Sequence, residues 1–496
     1  MTSKGKQAEE PDVLVCIDIG TSETKCVLRI RGQTFPVIVD QYPGADPLRQ
    51  TTPTTMAYMG GVPVGWGCTA VEKALKSPRE VEWYTEMKRG FPSSRISDIN
   101  GSGKERSAMS LYRDFLRCLY SFLGNYWSDN RGFGICHWGE ASLKFIFSVP
   151  AAGDPKAATR AIIDAAKQAG YAQHPAGCTF AAGVFTESEA SAAFALQATH
   201  DRHKFTAGDV ALVVDVGGST SDICLFATRV GVKEGKATKK DKDAGPQNEP
   251  LVQEMDRLEA VSGEYIGGTV IDDRLRESLG TALSLSGVEN WRQLAMVLTH
   301  RDDFFTFKTK VSGDLKTPTR GVMLPIYTDR RPVVRQSAAG YHSSDGVQVL
   351  DAHNIYISGE RLEAEFDRQL ELVRGQADRA IEDLFAKAEL RALHATKRGA
   401  SASSETARWG ENLSLMLLSG GLGGAPRTKQ WLERALGQDH ESQVHTNIPR
   451  LKIAVSSEPQ LCVALGLAEV HKMRQDKEAY ATTSWGRSIL RWLAGK

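Results

Sequence analysis

The chain has 496 residues, a formal net charge of +1, and 41% hydrophobic and 24% charged residues. These values are typical of a soluble globular protein that is large enough for two or more hydrophobic cores. Because the charges nearly balance and no segment is apolar over the length of a membrane span, we expect neither nucleic acid nor a membrane as a principal partner. We expect a cytoplasmic protein without a transmembrane segment.

The first residues, 1–12, are polar and lack the apolar stretch of a secretory signal, which predicts a disordered leader. Eight cysteines are scattered along the chain without a Cys-x-x-Cys pair or a cluster with histidine, so we do not expect structural zinc. Cys16, Cys26 and Cys224 fall within strand-like runs, where cysteine usually serves as a small buried hydrophobic residue.

Two segments almost two hundred residues apart repeat one design. Each is an apolar, β-branched run that ends on an aspartate, Asp18 or Asp215, and continues through glycine and hydroxyl residues into a second strand-like run. Each predicts a β-hairpin whose turn binds phosphate, because glycines let the backbone approach an anion while N–H groups and hydroxyls donate hydrogen bonds. The two aspartates can hold a hydrated divalent cation between them. The segments are 13–30 and 211–230.

Strand-like and amphipathic helical segments alternate along the rest of the chain. The N-cap residues Asp154 and Ser358 and the terminating Gly170 define helix boundaries. The charged run 233–249 and the segment 199–204, which contains a histidine pair, predict solvated loops. The further strands expected are 34–39, a pair within 56–64, and 413–418. The helices expected are 107–127, 155–170, 189–198, 359–393 and 426–437.

A third site-like element follows the predicted strand 413–418. That strand runs into Ser419-Gly-Gly-Leu-Gly-Gly, and Pro426 then begins a helix. A glycine-rich turn at a helix N-terminus can hold the ribose or phosphate of a nucleotide against exposed N–H groups and the positive end of the helix dipole. The same glycines can also form a tight turn that binds nothing, and the motif is neither a Walker A loop nor a G-x-G-x-x-G fingerprint.

Together these three segments resemble the phosphate-1, phosphate-2 and adenosine motifs of the actin, sugar kinase and heat-shock protein 70 superfamily of ATPases. Four further stretches are similar to motifs of the heat-shock protein 70 branch. The overall pattern resembles divergent heat-shock protein 70-like proteins that keep the ATPase module and lack a conventional substrate-binding domain. The four stretches are FSVPA at 147–151, TESEASAA at 186–193, YIGGT at 265–269 and SEPQLCVALG at 457–466.

The resemblance implies an α/β protein with the two-lobed, actin-like (ribonuclease H-like) ATPase fold. In that fold, duplicated mixed sheets enclose a central nucleotide cleft. Lobe I would comprise residues 13–200 and be completed by 457–480, and lobe II would comprise 201–456. The residue pattern of 481–496 separately predicts an amphipathic tail that packs on the body, or that docks a partner or a membrane surface.

The resemblance also implies roles for individual residues. Asp18 and Asp215 would hold Mg²⁺ through water, and Asp215 would orient or deprotonate the attacking water. Lys88 matches the phosphate-contacting lysine of the family, with a surface lysine as the alternative, and Glu187 matches its connecting-segment glutamate. The residues expected to hold ATP or ADP are Gly20, Thr21, Ser22, Gly217, Gly218, Ser219, Thr220, Gly267, Gly268, Gly420, Gly421, Leu422 and Gly424.

The chain departs from the family pattern at three places. Residues 422–424 replace a Ser-Thr-Arg sequence, which removes a hydroxyl and a cation that would pack on adenine, so adenine selectivity stays open. Ser219 replaces a glycine and must avoid left-handed backbone geometry. Gln460 stands where the family has an acidic residue.

From this resemblance we expect a Mg²⁺-dependent ATPase switch. It would bind and slowly hydrolyse ATP, couple this to lobe closure, and recruit an unidentified protein partner or client when closed. Three alternatives stay open: a small-molecule kinase of the sugar kinase type, a non-catalytic nucleotide-binding scaffold, and an actin-like filament.

Overall fold

The structure is a computed structural model that shows a mixed α/β protein with several sheets, so the predicted α/β class is confirmed. The leader before residue 10, the run 233–249 and most of the tail 481–496 lie outside the described residues. In the part that is described, no helix has both the length and the apolar character needed to cross a membrane. The described residues are 10–47, 49–77, 80–99, 103–151, 153–203, 209–231, 251–261, 266–326, 343–351, 353–397, 413–437 and 451–482.

The secondary-structure elements follow one another in chain order. The helices are α1 (Gly67–Lys76), α2 (Met87–Gly90), α3 (Ala108–Asp129), α4 (Pro155–Gln168), α5 (Glu187–His203), α6 (Gly268–Leu285), α7 (Trp291–Leu298), α8 (Asp302–Thr309), α9 (Gly359–Lys397), α10 (Gly420–Gly423), α11 (Pro426–Gly437) and α12 (Cys462–Thr482). The strands are β1 (Val13–Ile19), β2 (Glu23–Ile30), β3 (Val37–Ile38), β4 (Thr52–Pro53), β5 (Met56–Met59), β6 (Val62–Trp66), β7 (Val81–Tyr84), β8 (Arg95–Ser97), β9 (Glu105–Ser107), β10 (Leu143–Phe147), β11 (Cys178–Phe180), β12 (Val210–Val216), β13 (Ser221–Gly231), β14 (Leu251–Val261), β15 (Val322–Pro325), β16 (Ser343–Ser344), β17 (Val347–Val349), β18 (Asn354–Ile357), β19 (Leu413–Ser419) and β20 (Lys452–Val455).

Two sheets share the same pairing order. In the first, β1 pairs antiparallel with β2 and parallel with β10, and the order is β11-β10-β1-β2-β3 with β4 also on β2. In the second, β12 pairs antiparallel with β13 and parallel with β19, and the order is β14-β13-β12-β19-β20. β1 and β12, which carry Asp18 and Asp215 near their C-terminal ends, are therefore central in their sheets. Every residue of β1 and β12 is buried, as expected for strands covered on both faces.

Alternate residues of the central strands pack into different cores. Val15 of β1 packs with α3 and α4, whereas Cys16 packs with α5 and α12 on the other face. Likewise Leu212 of β12 packs with α6 and α9, and Val213 packs with α5. This alternation follows the two-residue period of a strand. It places helix α5, with Ala192 among its buried residues, between the two sheets.

Three smaller sheets complete the described fold. They have the strand orders β6-β5-β7, β15-β18-β17-β16 and β8-β9. The first packs with α1 in an apolar cluster that also contains Val297 of α7, so a contact between distant parts of the chain forms here. The second contributes Val347 and Ile355 to the core beside α6 and α9.

Most predicted boundaries agree with the structure. The Asp154 side chain accepts a hydrogen bond from Ala157 N–H at the start of α4, and Gly170 follows the helix with φ of 106°. Ser358 Oγ accepts from Arg361 N–H at 3.2 Å at the start of α9. The expected burial of the cysteines at 16, 26 and 224 is confirmed.

Two predictions along the chain were wrong. The strand expected at 34–39 is only Val37–Ile38, because Pro36 has no N–H to donate and Phe35 is 80% exposed. The loop expected at 199–204, with His200 and His203, is the last turn of α5 as far as His203. The helix continues there because residues 187–203 contain neither glycine nor proline. Within it the Thr199 hydroxyl donates to the carbonyl of Ala195 at 2.6 Å.

The close packing of α12 on α5 depends on Gly466. A Cβ at that position would overlap the carbonyl oxygen of Ala190. We expect Gly466→Ala to lower the free energy of unfolding by about 1–3 kcal/mol, the usual cost of overpacking. Gly375→Ala is the matched control in α9, where a Cβ meets only Arg379 at 3.8 Å. Its gain in helix propensity should raise stability by up to about 1 kcal/mol. Denaturant unfolding measures both, and a Gly466→Ala protein as stable as wild type would contradict the packing.

Candidate functional site

The turns of the two hairpins have the same hydrogen-bond geometry. Gly20 N–H donates to the carbonyl of Glu23 at 3.0 Å, and Gly217 N–H donates to the carbonyl of Thr220 at 2.9 Å. In each hairpin the aspartate lies two residues before this glycine. The repeat seen in the sequence is therefore a repeat of backbone structure.

The two turns also contact each other. Thr21 Oγ1 and Ser219 Oγ share a hydrogen bond of 2.7 Å. A Cβ at Gly218 would lie 2.5 Å from Ser22 Oγ, so only glycine permits this approach. The Gly218 carbonyl accepts from Thr269 N–H at 2.6 Å. Ser219 avoids the left-handed region, as its replacement of a glycine required.

A cavity with about 1060 Å³ of space free of protein atoms lies at these turns and is open to solvent. Two predicted residues do not line it: Gly267 packs against the Gly218 carbonyl, and Gly424 packs against Pro459. They act as close-packing positions behind the lining. The predicted residues that line the cavity are Asp18, Gly20, Thr21, Ser22, Lys88, Glu187, Asp215, Gly217, Gly218, Ser219, Thr220, Gly268, Gly420, Gly421 and Leu422.

Asp18 is buried, and each of its carboxylate oxygens accepts a hydrogen bond from the protein. Its Oδ1 accepts from Ser148 Oγ at 2.7 Å, and its Oδ2 accepts from Lys25 Nζ at 3.0 Å. Burial raises the pKa of this carboxyl, but the charges of Lys25 and Lys88 and the hydrogen bonds outweigh burial and hold the pKa below its usual value. Asp18 is therefore an ionised carboxylate with a cation already beside it.

Asp215 has a different environment. It is 8% exposed, and its Oδ2 has no hydrogen-bond partner. Burial, with smaller contributions from the charges of Glu187 and Asp18, raises its pKa to about 6. Asp222 faces it across the strand pair, and burial with the charges of Glu187 and Asp215 raises the pKa of Asp222 to about 7. Burial therefore favours the neutral form of both carboxyl groups, while the charges of Lys25 and Lys88 act in the opposite direction.

Lys88 and Glu187 form an ion pair in the cavity wall. Each side chain is 15% exposed, so the alternative of a surface lysine is wrong. Burial lowers the pKa of Lys88, but the charges of Glu187 and Asp18 outweigh burial and raise the pKa above its usual value. Lys88 is thus a permanent ammonium group held at the cavity by a carboxylate.

The third glycine-rich element forms a short helical turn, α10, between β19 and the predicted helix that begins at Pro426. It begins at Gly420, which has φ of 82° and whose Cβ position would lie 2.5 Å from Asp215 Oδ1. Gly420 N–H donates to the Pro459 carbonyl at 2.7 Å. Leu422 and Phe366 are among the lining residues, and both side chains are buried.

Several lining residues were missed by sequence reasoning. Lys25 and Asp222 carried a signal, since each follows its hairpin aspartate by the same interval and pairs with it in register. Phe305, Lys308 and Thr309 of α8 also line the cavity, and Lys308 Nζ donates to both carboxylate oxygens of a neighbouring aspartate at 2.7 Å. They lie in a stretch of sequence with no recognisable motif.

A second cavity, lined mostly by polar residue types, adjoins the first. Thr21, Ser22 and Glu23 line both cavities, so they lie between the two spaces. The far wall includes Arg276 and His300. Burial lowers the pKa of His300 to about 3, so the ring is neutral at physiological pH.

The donor set fits a phosphate chain with a hydrated divalent ion. Among the described residues, no cluster of three or more His, Cys, Asp or Glu side chains is arranged to bind a metal. Asp215 Oδ2 nevertheless lacks a partner, as does Ser22 Oγ at the facing turn. Carboxylate oxygens hold Mg²⁺ with most of its waters retained, as expected beside a phosphate ligand.

Comparisons with known proteins give no identification. No protein-family model matches this chain, and no curated protein matches it. The functional hypothesis therefore depends on the residues of the cavity and on the resemblance of its three turns.

The raised pKa of Asp222 predicts a pH-dependent stability. The folded state binds this proton more tightly than the unfolded chain, whose pKa is near 3.8, so the stability contributed by the proton is lost as pH rises from about 4 to about 7. Asparagine mimics the protonated form. We expect Asp222→Asn to be more stable than wild type at pH 8, by about 1–4 kcal/mol, and nearly equal at pH 4.

Thermal unfolding of the ligand-free proteins across this pH range measures the difference. Asp164→Asn is the matched control, because Asp164 is an exposed aspartate on α4. The control should follow wild type at every pH. A difference between wild type and Asp222→Asn that does not change with pH would contradict the assignment.

Proposed function

We propose that this protein is an ATPase switch that binds Mg²⁺ and ATP in the cavity between the two hairpin turns and hydrolyses ATP slowly. One observation carries the proposal: two turns of identical hydrogen-bond geometry, each preceded by a buried aspartate, meet at one cavity. Two anion-binding turns facing each other suit a chain of linked phosphates. A single phosphate group would need only one such turn.

The proposal assigns the fold to the two-lobed actin-like type of the heat-shock protein 70 branch. The matching pairing orders of the two main sheets support it, with lobe I as 13–200 plus 457–480 and lobe II as 201–456. Contacts between residues of the two proposed lobes also support a closed arrangement. Arg49 pairs with Asp302, and the rings of Trp83 and His300 lie 5.0 Å apart.

Different residues of the cavity would have different roles in ATP binding and hydrolysis. The turn N–H groups and the hydroxyls of Thr21 and Thr220 would bind phosphate oxygens, and Lys88 would add a positive charge. Mg²⁺, when bound, neutralises charge on the phosphates and leaves the protein to orient water. Asp215 suits that task, because its free Oδ2 can accept a hydrogen bond and its pKa of about 6 makes it a better base than an ordinary aspartate.

The closed state would recruit a protein partner in the cytoplasm, as the resemblance to heat-shock protein 70-like proteins implies. A switch needs a ligand that favours one of two arrangements. A phosphate chain that contacts both turns would bind the closed arrangement better than the open one. This is the physical basis for coupling ATP to lobe closure.

One observation favours a second candidate, a small-molecule kinase. The adjoining cavity is partly lined by Thr21 and Ser22 of the first turn, where an acceptor hydroxyl would have to lie for phosphoryl transfer. Glu23 Oε2 is buried without a partner at the wall shared by both cavities, so it could accept the proton of that hydroxyl. ADP release without any acceptor supports the ATPase. ADP release that requires a polyhydroxylated acceptor supports the kinase.

The central test is Asp215→Asn. The substitution removes the base and keeps the shape, so we expect ATP turnover to fall at least about 100-fold while the Kd for Mg·ATP changes no more than about threefold. Removal of a buried charge should not destabilise the protein, so unfolding would not explain the loss. A turnover assay and isothermal titration calorimetry provide the two measurements.

Asp164→Asn again serves as the matched control and should keep wild-type turnover. An Asp215→Asn protein that hydrolyses ATP as fast as wild type would overturn the role of Asp215. If the wild-type protein binds Mg·ATP but does not hydrolyse it, the protein is instead a non-catalytic nucleotide-binding scaffold.

A further inference from the structure

A third cavity lies between helices α6 and α9, beside the turn that joins β16 to β17. It contains about 690 Å³ of space free of protein atoms, is open to solvent, and shares no lining residue with the first two cavities. Every lining residue is polar or charged, and three of them are arginines: Arg274 of α6, and Arg361 and Arg368 of α9. We call this space the arginine cavity. Its residues suit a charged ligand and not an apolar one.

The fully buried side chain of Glu365 fixes two of the three arginines. Its carboxylate accepts a hydrogen bond from Arg361, and Nη1 of Arg368 donates to both of its oxygens at 2.9 Å. The Arg361 side chain is only 12% exposed, whereas that of Arg368 is 56% exposed. One buried carboxylate therefore holds two guanidinium groups at the cavity, and its charge balances only one of them.

Asp345 supplies a second negative charge from the turn between β16 and β17. Its Oδ2 lies 2.8 Å from Nη2 of Arg361, and its side chain is 62% exposed. The turn itself packs closely on α9, because a Cβ at Gly346 would lie 2.6 Å from the Cβ of Arg361. Ion pairs that involve a solvent-exposed side chain are weak, so an anion from solution can displace this carboxylate while the turn stays in place.

The arginines retain hydrogen-bond donors for a ligand. Arg274 Nη1 lies 3.3 Å from Oε2 of Glu277, and this ion pair is also weak because the two side chains are 52% and 70% exposed. Nε of Arg361 is buried without a partner, so the protein does not saturate this guanidinium group either. Each guanidinium group has five N–H donors. A phosphate has enough oxygens to accept from three arginines at once, whereas a carboxylate has only two oxygens.

We propose that the arginine cavity binds a phosphate group, either free phosphate or a small phosphate monoester. Arg274, Arg361 and Arg368 donate to its oxygens, and the phosphate takes the place of the exposed Asp345 carboxylate beside Arg361. The inference goes beyond the proposed function and does not depend on it, because the arginine cavity has its own lining residues.

The first test follows the arginines themselves. Phenylglyoxal modifies exposed guanidinium groups, and mass spectrometry of the peptides gives a labelling rate for each arginine. With saturating inorganic phosphate at constant ionic strength, we expect Arg274 and Arg368 to be labelled at least about fivefold more slowly. Arg160, an exposed arginine on α4, is the matched control and should keep its rate. Because each rate belongs to one residue, phosphate bound in the first cavity does not disturb the measurement.

Two substitutions test the charges. In each protein, the phosphate concentration that halves the labelling rate of Arg274 measures the affinity. Arg368→Gln removes a positive charge from an exposed side chain, so this concentration should rise at least about fivefold. Asp345→Asn removes the competing carboxylate, so the concentration should fall at least about threefold. Asparagine tolerates the φ of 46° at this position, so the turn should keep its shape. Arg160→Gln should leave the concentration unchanged.

A comparison of probes identifies the ligand class. Protection by inorganic phosphate alone supports free phosphate, and protection by glycerol phosphate, alone or with inorganic phosphate, supports a phosphate monoester. Acetate is the carboxylate reference. Equal protection by acetate, unchanged labelling of Arg274 and Arg368 with every probe, or an Asp345→Asn protein without a gain in affinity overturns the inference. None of these results bears on nucleotide binding in the first cavity, so the proposed function stands or falls separately.

Discussion

The contact between the two hairpin turns is the constraint on which the rest of the structure depends. Thr21 and Ser219 share a hydrogen bond although they are almost two hundred residues apart, and Gly218 fits against Ser22 only because it has no side chain. To bring the turns together, each sheet must present its central strand end to the same cavity. The shared pairing order gives β1 and β12 the same central position, because in both sheets the strand that carries the aspartate lies between its hairpin partner and a parallel strand.

The electrostatics of the cavity follow from burying carboxylates on both sides and a cation mainly on one. Asp18 is neutralised by Lys25, and Glu187 is neutralised by Lys88, within the chain itself. Asp215 and Asp222 lack such partners, and their pKa values rise to about 6 and about 7. Burying such carboxyl groups without an ion-pair partner costs stability, and strongly shifted carboxyl groups of this kind occur often at binding sites, which is consistent with the proposed function.

Sequence reasoning succeeded where local chemistry decides structure. The apolar runs that end on Asp18 and Asp215 predicted both hairpins, and the capping residue Asp154 predicted the start of α4. Sequence reasoning failed where contacts between distant parts of the chain determine the structure. Nothing local shows that Lys308 reaches the cavity, and the proton affinity of Asp222 depends on burial among distant carboxylates. The specific two-lobed assignment depends on resemblance and on the pairing order of the sheets, so it stays a prediction.

Helix α5 has contacts at both ends of the cavity, so it would transmit a conformational change between them in the proposed switch. Its first residue, Glu187, holds Lys88 at the phosphate end. One turn later, Ser191 Oγ lies 2.6 Å from the Oγ of Ser419, directly before the glycine turn at the other end. Between these contacts the helix packs on α12 and on the second sheet. Under the proposed function, a ligand that draws Lys88 away from Glu187 would remove one contact at the start of a helix whose other contacts lie in both cores. Phosphate binding would then be coupled to the arrangement of the two sheets.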